Sequence, residues 1–215
     1  DHHRQSSDNI DNALLSYIEP YASSACEMVS EVLQYIVDDI KIPNLEASSL
    51  YAGIMIDTNN FMNKTGVRTF EAAAFLRRSG ADITLVRKMF RDDMESYRAK
   101  AQIISSAKVY HNKYAIARGE NLTIESPTII GAQAANELLD INEVKASFVL
   151  TTYNGRIYVS ARSIDEVNVQ IIMERLGGGG HMNASGAQFD HTDMDEAVAD
   201  LKQVIDDVIE GGEIE

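Results

Sequence analysis

The sequence predicts an α/β protein built in two parts, on three observations. Capped, helix-periodic segments fill the first half, strand and turn patterns begin near Lys113, and an uninterrupted charged helical pattern from Thr84 to Ser106 links them. The expected boundaries are a first part over 1–98, a connecting helix over 99–112 and a smaller α/β part over 113–215.

The first helix signal is Ser24-Ala25-Cys26-Glu27, a capping box in which each side chain can satisfy a free backbone donor. Cys26, Val29, Leu33, Ile36 and Val37 then share one helical face. The apolar stretch Leu50 to Ile56 runs directly into Asp57, and a further helix is expected from Thr69, as N-cap, to Ser79, with Gly80 as its stop. In the second part Lys113 to Arg118 reads as a strand. Asn154-Gly155 between Ser147–Tyr153 and Arg156–Ser160 reads as a tight hairpin. A helix carrying Val169, Ile172, Met173 and Leu176 leads into Gly177-Gly178-Gly179-Gly180-His181 and a short strand ending near Phe189. The last helix is expected to start at Thr192 and to bury Met194, Ala197, Val198, Leu201, Val204, Ile205 and Val208.

Composition narrows the chemistry. A net charge of −14 argues against a basic groove for long nucleic acid, so an anionic ligand must be small and held by local positive charge. The single Cys26 cannot form an internal disulfide or a thiolate cluster, so a metal site must use carboxylates and imidazoles, and a reducing compartment is expected. No apolar run approaches the ~20 residues that span a bilayer, so no membrane contact is expected from this stretch.

Four groups of residues can carry chemistry. Asp1-His2-His3 offers one metal ligand and one supporting or substrate-facing group, because successive side chains of an extended segment point to opposite sides. Asp57 stands where an apolar element meets the polar Thr58-Asn59-Asn60, as a ligand or as a turn residue. In the glycine run Gly177 suits a helix cap, while Gly178, Gly179 and Gly180 let backbone N–H groups approach an anion, with His181 at the rim. A branched side chain at Gly179 is expected to block that approach and strain the backbone. Arg162 and Ser160 lie on one face of the second hairpin strand, an Arg fork beside a hydroxyl that suits phosphate oxygens. Asn168 either caps the following helix or faces the ligand.

These motifs, in this order and spacing, resemble the DHH phosphoesterases with a DHH-associated domain. Asp1-His2-His3, Gly53-Ile54-Met55-Ile56-Asp57-Thr58 and Gly177 to His181 carry the likeness. Tyr17 to Ser24, Thr65 to Ala73, Ser160-Ala161-Arg162-Ser163 and Val167 to Gln170 look like the branch that hydrolyses cyclic di-AMP. The resemblance implies a parallel-sheet DHH domain, truncated here, joined by a long helix to the smaller DHH-associated domain. It implies two Mn²⁺ ions that activate water to open cyclic di-AMP to linear pApA. His2 and Asp57 would be metal ligands, Asp1 a support, and His3 a neighbour of the scissile phosphate. Gly178, Gly179, Gly180, His181, Arg162, Asn168 and Ser160 would hold the nucleotide. The branch's full-length proteins carry upstream PAS and degenerate GGDEF domains and a membrane anchor, which puts this part on the cytoplasmic side and leaves a homodimer open. The family's earlier metal motifs would precede Asp1, so the expectation is a C-terminal part that is inactive by itself. A short-oligonucleotide phosphodiesterase and a non-catalytic nucleotide-binding module are the alternatives.

Overall fold

The computed structural model describes residues 1–2, 12–36, 39–190 and 193–212. The chain divides into two compact units, Asp1–Arg91 and Asp92–Glu215.

In the first unit the regular elements among the described residues are helices: α1 (Ala25–Ile36), α2 (Asn44–Asp57), α3 (Val67–Arg78) and α4 (Ile83–Met89). The parallel sheet implied for this part is therefore not among the described residues. Half of the expected capping box forms, since Ser24 Oγ accepts the Glu27 N–H at 3.0 Å. The buried Glu27 carboxylate turns instead to the Ser23 hydroxyl, at 2.5 Å. Val37 lies outside the described residues. The apolar stretch before Asp57 is the second half of α2, where Ile54 packs with Ala47, Ala72, Leu76 and Ala81. Gly53 lets α1 and α2 approach, because a Cβ there would lie 2.3 Å from Cys26 Sγ. The third helix starts earlier than expected. Gly66 is its N-cap, and Thr69, in the first turn, accepts the Gly66 N–H on Oγ1 at 3.1 Å. Gly80 stops it at φ +101°, as the sequence predicts.

The helical pattern from Thr84 to Ser106 is not one helix. α4 ends at Met89, and α5 (Met94–Ser105) begins afresh because Asp93 caps it, accepting the N–H groups of Glu95 and Ser96 at 2.8 and 2.9 Å. A carboxylate that competes for backbone donors breaks a helix without help from Pro or Gly. Residues 99–105, expected in a connector, belong to α5, and Ala99 and Ile103 bury in the core of the second unit.

That unit holds a six-stranded sheet, β1 (Lys108–Tyr110), β2 (Tyr114–Gly119), β3 (Ala146–Tyr153), β4 (Arg156–Ser163), β5 (Gly179–His181) and β6 (Ala184–Phe189), in the order β1-β2-β3-β4-β6-β5. Only β2 and β3 run parallel, and the crossover between them is α6 (Pro127–Leu138), a helix the sequence reading did not anticipate. The predicted hairpin forms, with Asn154 and Gly155 at φ +49° and +71°. One face of the sheet buries Phe148, Leu150, Ile157, Val159 and Ala161 against α7 (Val169–Arg175) and α8 (Met194–Glu210). The other buries Ala115, Ala117 and Val149 against α5 and α6. Thr192 lies outside the described residues, and the cap of α8 is Asp193, whose Oδ1 accepts from Asp195 and Glu196.

A polar latch ties α8 to the β1–β2 turn. Asp206 accepts the Tyr110 hydroxyl at 2.8 and 2.9 Å and meets His111 Nε2 at 2.7 Å. These contacts, His111 first, hold the Asp206 carboxyl below its ordinary value. The latch therefore stabilises the fold above about pH 4, and its contribution is lost as pH falls through the lowered value. Asp206→Asn is expected to lower Tm at neutral pH and to flatten the acid-side decline, as read by thermal unfolding between about pH 6 and 3.

Candidate functional site

Two groups of candidate residues stand on separate units. In the first unit, His2 Nε2 lies 3.7 Å from Asp57 Oδ2. Asp57 is the last residue of α2, where the helix dipole disfavours a carboxylate and favours a cation beside it. The backbone that follows is unusual: Asn59, Asn60 and Phe61 take φ of +45°, +57° and +65°. A bulky residue in this region costs about 1–3 kcal/mol and persists only when its surroundings impose it. Here the buried Thr58 imposes it, donating to Ile54 O at 2.7 Å and accepting the Phe61 N–H at 3.0 Å. The Phe61 ring is wedged between Tyr51 and Phe70, with both centroids at 5.7 Å. Asp57 is thus a helix-terminal residue ahead of a constrained turn.

Asp1 is held through its main chain: its terminal ammonium donates to Tyr17 O at 2.7 Å, and its O accepts the Glu19 N–H at 2.9 Å. His3 lies outside the described residues. Among the described residues, no group of three or more His, Cys, Asp or Glu side chains is gathered as a metal cluster would need.

In the second unit, register assembles the candidates. β4 alternates, with Ile157, Val159 and Ala161 in the core and Tyr158, Ser160 and Arg162 on the opposite face. Across the sheet Arg162 pairs with Ala184 and Ala184 with His181, while Ser160 pairs with Gly186 and Gly186 with Gly179. Cross-strand partners share a face, so Arg162, Ser160, Gly179 and His181 stand around a floor of Ala184 and Gly186. The sequence reading missed those two floor residues as part of the site; the signal was the small-x-small alternation in Ala184-Ser185-Gly186.

Arg162 is the electrostatic centre of this face. Burial pulls its guanidinium below its ordinary value. Among the described residues its one hydrogen bond goes to Ala161 O, at 2.9 Å, with no carboxylate in ion-pair range. A desolvated cation without a counter-ion is costly, and a bound anion would relieve that cost.

The glycine run is not a loop of equivalent glycines. Gly177, at φ +78°, closes α7 as a Schellman cap, with Gly177 N–H to Glu174 O at 3.0 Å and Gly178 N–H to Met173 O at 2.8 Å. Gly178 and Gly180 then press against β6, so that a Cβ would meet Gly186 O at 2.1 Å or Ser185 Cα at 2.6 Å. Gly177 and Gly179 both have nothing within 4 Å of the Cβ position, but Gly179 lies outside the left-handed region, so the strain expected there does not arise. Asn168 caps α7, its Oδ1 accepting the Gln170 N–H at 3.1 Å. Val169 N–H bonds Met182 O at 3.0 Å, which brings that helix start to the β5–β6 turn beside His181.

Residues 113–210 match the model of the DHHA1 domain. The chain is 44% identical over 213 residues, 99% of its length, to the cyclic-di-AMP phosphodiesterase GdpP of Geobacillus thermodenitrificans, and covers 32% of that protein. It is 41% identical over 207 residues, 96% of its length, to the cyclic-di-AMP phosphodiesterase PdeA of Listeria monocytogenes, and covers 31% of that protein. The chain thus spans about a third of the length of the curated relatives it matches. A crystal structure of an exopolyphosphatase-related protein from Bacteroides fragilis, 25% identical, superposes with a TM-score of 0.82, covering 97% of this chain and 62% of that one. The glycine strand and the Arg162 face lie within residues 113–210, the part of the chain that matches the DHHA1 domain.

Proposed function

We propose that the protein is a metal-dependent phosphodiesterase that opens cyclic di-AMP to linear pApA. The observation that carries this reading is Arg162, a desolvated guanidinium with no carboxylate partner among the described residues, above a floor of Ala184 and Gly186. A flat floor without long side chains admits a bulky planar ligand, and the Arg fork suits phosphate oxygens. The names of the GdpP and PdeA relatives support a cyclic dinucleotide as that ligand. His181 and the Gly179 backbone stand across β6 from Arg162 and Ser160 on the same face, which supports contact with the same phosphate–sugar backbone. Asn168 acts as a cap that steadies the neighbouring helix start.

The residues of the first unit fit a metal. His2 and Asp57 offer an imidazole and a carboxylate, donors suited to Mn²⁺, and 3.7 Å is within the roughly 3–4 Å that separates two ligands of one ion. Two ligands alone do not complete a two-ion site. When bound, the two Mn²⁺ ions would supply an activated water and neutralise the charge that builds on the phosphate. Asp1, pinned at both backbone groups, orients His2. Arg162 and His181 bind the dinucleotide and fix its orientation, which is their contribution to rate.

Calorimetry with cyclic di-AMP, linear pApA and Mn²⁺ tests the reading. Arg162→Ala is expected to weaken cyclic di-AMP binding by about 10- to 100-fold, the worth of one charge-assisted contact, with Mn²⁺ content unchanged. His181→Ala should act in the same direction and less strongly. Unchanged affinity in both variants would remove the phosphate grip from this face. Dinucleotide binding without Mn²⁺ binding would make the protein a non-catalytic module, and preference for pApA would make it a short-oligonucleotide phosphodiesterase.

A further inference from the structure

The first turn of α3 reaches both segments that carry the His2–Asp57 pair. On one side Arg68 grips Glu31 bidentately, with Nε and Nη2 each 2.7 Å from a carboxylate oxygen. This fixes the guanidinium plane, and Nη2 also donates to Tyr17 Oη at 3.1 Å while Nη1 stands 3.9 Å from Glu19 Oε2. Tyr17 and Glu19 are the two residues whose backbone brackets Asp1, next to His2. The segment that holds them, residues 13–19, has no helix or strand of its own, so side-chain tethers must place it. On the other side Phe70, two residues after Arg68, stacks on Phe61 in the constrained turn behind Asp57.

We infer that Arg68 is a positioning residue for the metal pair: through Glu31, Tyr17 and Glu19 it sets where the Asp1–His2 backbone stands relative to Asp57. The inference rests on the metal reading above. A cation tethered only for stability would tolerate Lys, whereas a clamp that works through a planar fork does not, because an ammonium cannot satisfy Glu31 and Tyr17 in the same plane. As a positioning residue Arg68 acts through its partners Glu31, Tyr17 and Glu19, and its effect runs through the placement of His2.

The test is made in the full-length protein with Arg68→Lys, Arg68→Ala and Tyr17→Phe, reading Mn²⁺ affinity by calorimetry, kcat and KM for cyclic di-AMP, and Tm. Arg68→Lys is expected to lower Mn²⁺ affinity by about 10- to 100-fold, the usual effect of losing a group that orients a ligand. The loss should appear in kcat and be restored in part by excess Mn²⁺, with KM for the dinucleotide held near the parent value. Tyr17→Phe should shift Mn²⁺ affinity the same way by less. If Arg68→Ala does not fold, Arg68→Lys and Tyr17→Phe decide the matter. Folded Arg68→Lys and Tyr17→Phe proteins with parental Mn²⁺ affinity would overturn the inference while leaving the metal reading intact. An Asp57→Ala protein that keeps parental Mn²⁺ affinity would instead remove the metal reading, and the inference with it.

Discussion

Asp57→Ala should abolish hydrolysis of cyclic di-AMP in the full-length protein while leaving the fold in place. The carboxylate ends α2 and stands 3.7 Å from His2, so its loss removes the proposed ligand without opening a core cavity. A metal-assisted step that loses a ligand gives up several kcal/mol of charge stabilisation, and about 4 kcal/mol corresponds to ~10³ in rate. Removing a carboxylate from a helix C-terminus is itself mildly favourable, so Tm should hold or rise slightly. Steady-state kinetics with Mn²⁺ titration, alongside thermal unfolding, checks both halves. Most of the activity surviving in a folded variant would return Asp57 to the role of a turn residue.

The second large effect separates two neighbouring glycines. Gly178→Ala puts a methyl group 2.1 Å from a backbone oxygen and 2.6 Å from a backbone carbon of β6, neither of which can rotate away. Strand β5 must then shift from β6, at a cost of about 1–3 kcal/mol and a fall in Tm of roughly 3–10 °C. Gly179→Ala meets nothing within 4 Å and should leave Tm within about 1–2 °C of the parent. Its methyl group rises from the floor beside Gly186, so it should still weaken cyclic di-AMP binding. Equal Tm values for the two variants would show that β5 does not pack on β6 as described.

The parts of the molecule that were legible in the sequence are those governed by local chemistry. Asn154-Gly155 dictates its hairpin, the hairpin dictates its register, and register puts Ser160 and Arg162 on one face before anything else is known. Ser24, Gly80 and Gly177 announce helix ends because capping needs only the adjacent backbone. What escaped depends on distant partners or on close competition. Strand β6 inserts between β4 and β5, a pairing with no local signal, so the floor of Ala184 and Gly186 and the separate roles of Gly178, Gly179 and Gly180 could not be read. Asp93 interrupts an otherwise helical pattern through a cap whose strength is comparable to the propensity it opposes. Arg68 carries no local signal of its role, because its reach to Glu31 and Tyr17 is tertiary.

Strand β4 carries the core on its odd-numbered residues and the proposed ligand face on its even-numbered ones. Inheritance of this strand is therefore indivisible. A one-residue slip within the strand would turn Tyr158, Ser160 and Arg162 inward and bring Ile157, Val159 and Ala161 to the surface. The packing of Ile157, Val159 and Ala161 therefore fixes the facing of Arg162, and point substitutions at the even-numbered positions Tyr158, Ser160 and Arg162 alter that face without touching the core.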